Sequence, residues 1–167
     1  MSGLSEAEIR EDLIKRLELN KGDIILEVGI GTGGNIPIIR KYTQATVFGL
    51  DLSEGMLRVC LEKIRKMRWN AELFLGNAEC LPFKANKFDA VLNFGGMAYF
   101  SDKRKAILEM YRVAKPGSKI VISEQITLLE KFLGRDKPPV ELVPKDAIQV
   151  RSEYIFEGHF YVIEFRK

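Results

Sequence analysis

The chain predicts an α/β fold, a doubly wound, mostly parallel seven-stranded sheet that closes with a C-terminal antiparallel β-hairpin. First, short apolar runs alternate with helix-like periodicity from Ile24 to Ser123, as in parallel strands joined by right-handed crossovers. Second, the glycine-rich turn Glu27-Val28-Gly29-Ile30-Gly31-Thr32-Gly33 ends the first strand and feeds a helix. Third, two strand-like runs flank Gly158 near the end of the chain.

Residues 5–19 are predicted as the first helix. Ser5 and Glu8 form a capping box, and Ile9, Leu13 and Leu17 share one face. Lys21-Gly22-Asp23 breaks it. Ile24–Val28 is apolar apart from Glu27, as expected of a strand buried on both faces. After the glycine turn a helix runs from Asn35 to about Tyr42, with Pro37 in its first turn, where a missing N–H is tolerated. Thr46–Asp51 is the second strand, Ser53 caps a helix to about Met67, and Ala71–Leu75 is the third strand. A loop with Pro82 leads to the fourth strand, 88–93. Asp102 caps a helix to about Ala114, Lys115-Pro116-Gly117 stops it, and residues 119–123 are the fifth strand. Residues 126–133 have the spacing of a short amphipathic helix. Residues 134–147, with Pro138, Pro139 and Pro144, are loop, and 150–156 with 160–165 form the hairpin.

At 167 residues, 46% hydrophobic and 29% charged, the chain suits one globular domain with its own core. Cys60 and Cys80 form no C-x-x-C pair, so no metal site is expected and both read as reduced thiols of a cytoplasmic protein. Residues 1–6 lack a secretory pattern, and no apolar run nears the ~20 residues of a membrane helix. The net charge of +3, from 26 basic and 23 acidic residues well interspersed, speaks against a nucleic-acid partner.

A strand that ends in Glu27-x-Gly29-x-Gly31-x-Gly33 lets a ligand approach the backbone without side-chain obstruction. Gly29-x-Gly31-x-x-Gly34 also fits a dinucleotide fingerprint, and Asp51, at the end of the second strand, suits ribose hydroxyls in either case. The glycines and Asp51 therefore point to an adenosine-containing cofactor without deciding which. Glu27 would repel a pyrophosphate but suits a cationic amino group. Gly76-Asn77-Ala78-Glu79 with Leu81-Pro82-Phe83 follows the third strand, and the length leaves little room for the catalytic domain of a nicotinamide enzyme.

Five stretches in order carry a family resemblance: residues 25–33, Gly49-Leu50-Asp51-Leu52-Ser53-Glu54-Gly55-Met56-Leu57, residues 76–83, Lys87-Phe88-Asp89-Ala90-Val91, and residues 109–117. The sequence resembles class I S-adenosylmethionine-dependent methyltransferases, which have a Rossmann-like sheet, and among them the group of the ubiquinone/menaquinone-biosynthesis methyltransferases. The resemblance implies that Glu27, Gly29, Ile30, Gly31 and Gly33 border the methionine part of S-adenosylmethionine and its product S-adenosylhomocysteine. Asp51 would hold the ribose, and Leu52 and Met56 would pack on the adenine. Asn77, Ala78 and Glu79 would border the ring, and Asn93 and Phe94 would lie beside the amino group and sulfonium. Asn77 departs from the usual Asp, although its amide oxygen can still accept a hydrogen bond. One domain over 1–167 is implied: an N-terminal helical segment (1–22), a cofactor-binding core (23–124), a short variable segment (125–149) and the hairpin (150–167).

Methyl transfer from a sulfonium is an in-line displacement in which alignment is the main contribution of the protein. No conspicuous catalytic residue is expected, and His159, the one histidine, falls in the hairpin turn. Tyr99 and Glu124, near the ends of the fourth and fifth strands, are candidates to meet a small-molecule acceptor. Asn93-Phe94-Gly95-Gly96 stands where amide- and nucleobase-methylating families carry Asn-Pro-Pro-Tyr. Residues 125–149 are short for a substrate cover, so a homo-oligomer or a partner chain is expected to complete the site. A nicotinamide-dependent oxidoreductase and a non-catalytic partner subunit of the same fold are the alternatives.

Overall fold

Strands form where apolar runs meet breakers. The computed structural model describes residues 5–134 and 136–167, apart from the side chain of Glu130; residues 1–4, on which part of the leader reading rests, lie outside the described residues. β1 (Ile24–Val28) and β2 (Thr46–Asp51) keep their predicted bounds, each with four consecutive buried positions. They are followed by β3 (Ala71–Leu75), β4 (Phe88–Phe94), β5 (Ala114–Gln125), β6 (Ile148–Ile155) and β7 (Phe160–Arg166). The sheet has the order β3-β2-β1-β4-β5-β7-β6. β1 to β5 run parallel, and β7 is antiparallel to both β5 and β6. The order reverses between β1 and β4, and a crevice opens at such a switch point.

The helices are α1 (Glu6–Arg16), α2 (Ile36–Tyr42), α3 (Glu54–Met67), α4 (Lys103–Val113) and α5 (Leu128–Phe132). The expected capping box starts α1: Glu8 N donates to Ser5 Oγ, and Ser5 N to Glu8 Oε2. Leu13 of α1, Ile36 and Ile39 of α2, and Cys60 and Ile64 of α3 pack with Ile25, Ala90 and Leu92 on one face of the sheet. Ile107 and Met110 of α4 cover the other face with Leu26, Val91, Ile122 and Phe165. The β3–β4 crossover, 76–87, carries no helix. An aromatic cluster covers that part of the sheet: Phe83 meets Phe74 at 4.9 Å and Phe88 at 5.0 Å, both edge-on, and the Lys87 ammonium lies 4.0 Å over Phe48.

Three elements differ from expectation. α1 ends at Arg16 because Glu18 adopts a left-handed φ of 55°, while Leu17 stays buried. β5 starts at Ala114, directly after α4, because Gly117 N donates to Lys167 O and Lys167 N to Ser118 O, which draws the expected stop into a bulged strand. α5 is shorter than residues 126–133. Its apolar residues stay exposed (Leu128 84%, Leu129 65%, Phe132 87%), so the expected amphipathic face does not pack on the body.

Candidate functional site

A cleft of about 710 Å³ opens at the carboxyl ends of β1 to β4. Its floor is the glycine turn after β1. Gly29, Gly31 and Gly33 have φ of 76°, 56° and 77°, a region costly for other residues. Gly29 N and Ile30 N both donate to Leu50 O, at 2.7 and 3.1 Å, which folds the turn against β2. Gly29, Ile30 and Gly31 line the cleft. Gly33 does not; a Cβ there would stand 2.6 Å from Cys60 Sγ, so its bareness serves the packing of the turn on α3.

Glu27 lines the cleft from the end of β1 and is 2% exposed. Its Oε1 accepts from Asn35 Nδ2 at 2.6 Å, and its Oε2 has no partner among the described residues. Burial pushes the carboxyl up to about 7, although the Asn35 bond and the Arg10 charge pull it down. Asn93 pairs in register with Val28 and shares its face of the sheet, opposite to that of Glu27. It donates to Val28 O at 2.8 Å and packs behind Gly29 and Gly96, off the cleft wall, with its Oδ1 unpartnered among the described residues.

Asp51 ends β2 with its carboxylate shared between two turns. Oδ2 accepts from Gly31 N and Oδ1 from Ser53 N, both at 2.8 Å. Each oxygen keeps acceptor capacity for a ligand. Leu52 and Met56 stand beside it, 73% and 48% exposed, as an apolar ledge. Asn77, Ala78 and Glu79 line the facing wall. Asn77 Oδ1 accepts from Glu79 N at 2.8 Å and so closes its own loop. Glu79 Oε1 accepts from Ser101 N at 2.8 Å and Asp102 N at 3.0 Å, which fastens the segment after β4 across the cleft.

Phe94 lines the inner wall and Tyr99, 85% exposed, the mouth. Glu124 lies beside the cleft and not on its wall. Its Oε2 accepts from Ala98 N at 3.0 Å, which anchors the turn Met97–Tyr99 to β5. Phe100, expected beside Tyr99 as a pocket residue, lines the cleft with it, whereas sequence reasoning missed Arg10, Thr32, Ser53 and Ser101, which also line it. Ser53 and Ser101 sit next to residues already singled out. Arg10 gave no local signal, since a charge on the outer face of α1 reads as solvated. Among the described residues no group of three or more side chains could hold a metal, and no helix is long and apolar enough to cross a membrane.

The family described as "Methyltransferase domain" matches residues 25–117, which span all of the cleft-lining turns except Arg10. The demethylmenaquinone methyltransferase of Shouchella clausii is 40% identical over 118 residues, covering 69% of this chain and 50% of that protein. The chain spans about half the length of the curated relatives first matched. Among solved structures, phosphoethanolamine N-methyltransferase 2 of Haemonchus contortus in complex with S-adenosyl-L-methionine superposes with a TM-score of 0.82 at 19% identity, over 96% of this chain and 52% of that one. The [4+2]-cyclase SpnF superposes with a TM-score of 0.80 at 15% identity, over 96% and 80%. Both structural likenesses concern the fold alone. The match over most of the core, the strand order and the cleft at its switch point agree: the chain belongs to the class I S-adenosylmethionine-dependent methyltransferase superfamily.

Proposed function

We propose that the cleft binds S-adenosylmethionine and that the chain transfers its methyl group to a small-molecule acceptor. The observation that carries this reading is the unpartnered Oε2 of Glu27, buried at the inner end of the cleft. A buried acceptor with no partner is costly unless a ligand supplies the donor. An ammonium group supplies both a donor and a positive charge, whereas a pyrophosphate supplies neither. The rest of the cleft fits the same ligand: Asp51 offers two oxygens to ribose hydroxyls, and Leu52 and Met56 offer an apolar ledge to a flat ring. When bound, S-adenosylmethionine supplies the electrophilic methyl group.

The residues of the chain orient and exclude water. Asp51 holds the ribose and the glycine turn borders the methionine part of the ligand, and Glu79 ties down the segment 99–102 that borders the mouth. The acceptor enters past Tyr99 and Phe100, the aromatic side of the mouth. The apolar side chains of α5 are exposed, and among the described residues none from 125–149 lines the cleft, which supports a second copy or a partner chain completing the acceptor site. The free thiols Cys60 and Cys80 support a cytoplasmic setting.

Titration calorimetry with S-adenosylmethionine and S-adenosylhomocysteine tests the reading, with micromolar binding expected. Absence of binding by folded protein, or a larger thermal shift with NADH than with S-adenosylmethionine, would overturn it in favour of the nicotinamide alternative or of a scaffold role.

A further inference from the structure

β6 is one edge of the sheet, and its outer side pairs with no other strand among the described residues. It is eight residues long and exposed from Ile148 to Tyr154, with Ile148 at 54%, Val150 at 43% and Tyr154 at 50%. Sheet edges in soluble proteins are kept short or guarded by lysine or proline, because a row of free N–H and C=O groups recruits another strand. Ile148-Gln149-Val150-Arg151-Ser152-Glu153-Tyr154-Ile155 contains neither residue. Its one irregularity, at Gln149 with a φ of 53°, lies at the start, and Arg151 to Ile155 pair with β7 without a break. Alternation puts Arg151 and Glu153 on the α1 face of the sheet, and Val150, Ser152 and Tyr154 on the α4 face. Glu153 bonds Arg16 of α1 and keeps 56% of its side chain exposed, and Arg151 has no ion pair among the described residues.

A second copy related by a two-fold axis pairs antiparallel with such an edge, and one residue lies on the axis opposite itself. The side chains discriminate among the registers. With Arg151 on the axis two guanidiniums face each other, and with Glu153 on the axis two carboxylates do. With Ser152 on the axis, Arg151 faces Glu153 of the second copy and Val150 faces its Tyr154, and the symmetry makes each pair twice. We propose that two copies of the chain join through β6 in the Ser152 register, so that their sheets become one. β6 runs parallel to β5, so the antiparallel partner turns its cleft to the opposite end of the joined sheet. Both mouths stay open. This second copy therefore supplies no cover for the acceptor, and the pairing stands apart from the cofactor reading.

Analytical ultracentrifugation of the wild-type chain at about 10–500 µM is expected to show a dimer. Arg151→Glu and Glu153→Arg each set like charges opposite one another twice and are expected to weaken it about 10- to 100-fold. Exchanging both charges in one chain is expected to return the affinity to within about fivefold of wild type. Cross-linking reads the register. In a Cys80→Ser background, which removes the exposed native thiol, Ser152→Cys is expected to form a disulfide-linked dimer on mild oxidation. Glu153→Cys is not, because in this register its Cα stands about 7–8 Å from its counterpart. A monomer over the whole range overturns the proposal and leaves the edge to a strand of a different chain. A dimer that survives Arg151→Glu unchanged overturns it as well, since the contact then lies elsewhere. Should the charge-exchanged chain fail to fold, the cross-linking decides: linkage through Glu153→Cys, or none through Ser152→Cys, overturns the proposal.

Discussion

At the amino ends of the strands, charges are matched. Lys115 meets Asp89 at 2.6 Å, Lys119 meets Glu18 at 2.7 Å, and Arg166 bonds the same Glu18. Against the upward push of burial, Lys115 and the Ile24 N–H hold the Asp89 carboxyl below its ordinary range. At the carboxyl ends, groups are held ready instead. Glu27 keeps an unpartnered oxygen, three glycines take left-handed backbone, and Leu52 and Tyr99 face solvent at 73% and 85% exposure. One rim pairs its carboxylates with cations and secures the fold. The other tolerates desolvation and exposed apolar surface that a ligand would relieve.

The contrast can be broken at four places. Asp51→Ala removes two charge-assisted contacts to the ribose and is expected to weaken S-adenosylmethionine about a thousandfold in calorimetry. A loss under tenfold would move the ribose away from Asp51.

The Glu27 carboxyl offers the next largest effect. Its folded value of about 7 lies above the ordinary 4.5, so its contribution to stability is full below pH 4.5 and is lost as pH rises through 7. Over that window the unliganded protein is expected to lose about 3 kcal/mol through this group. Ligand binding, which uses the carboxylate, strengthens over the same window. Glu27→Gln flattens both profiles; thermal melts between pH 4.5 and 8 that are parallel for the two proteins would contradict the assignment.

Glu79→Ala releases the segment 99–102 and is expected to weaken cofactor binding by about threefold to tenfold, with a faster dissociation rate. Unchanged dissociation would mean that this fastening does not cover the ligand. Glu18→Ala, at the opposite rim, is expected to reduce stability by about 0.5–1 kcal/mol, less at high salt, and to leave cofactor affinity unchanged. A change in affinity would show that the two rims are coupled through the sheet.

Much of this contrast was legible in the sequence where structure is made locally. β1 and β2 match to the residue because mostly apolar runs, each with a single carboxylate near its carboxyl end, sit between Asp23 and Gly29 and between Gln44 and Ser53. The glycine turn, Asp51 and the 77–79 loop each follow a strand directly, so periodicity alone brings them to one rim. What was not legible depends on distant partners. The start of β5 is drawn into the sheet by Lys167, Glu79 reaches across to Ser101, and Glu124 turns toward Ala98. Arg10 becomes part of the cleft through Asn35 and Phe94, both distant in sequence. Asn93 could be placed at the end of its strand, but which face it takes depends on the pairing with Val28.

The tight seat of Gly33 on Cys60 has a practical consequence. Cys60 is fully shielded, and burial pushes its thiol up to about 11, so a thiol reagent reaches it only when the turn lifts off α3. Cys80 is exposed and reacts without such an opening. The chain thus carries a clock and its own reference. The slow labelling of one sulfur times the breathing of the glycine turn, the fast labelling of the other reports reagent strength, and a ligand lying on the turn should stop the clock.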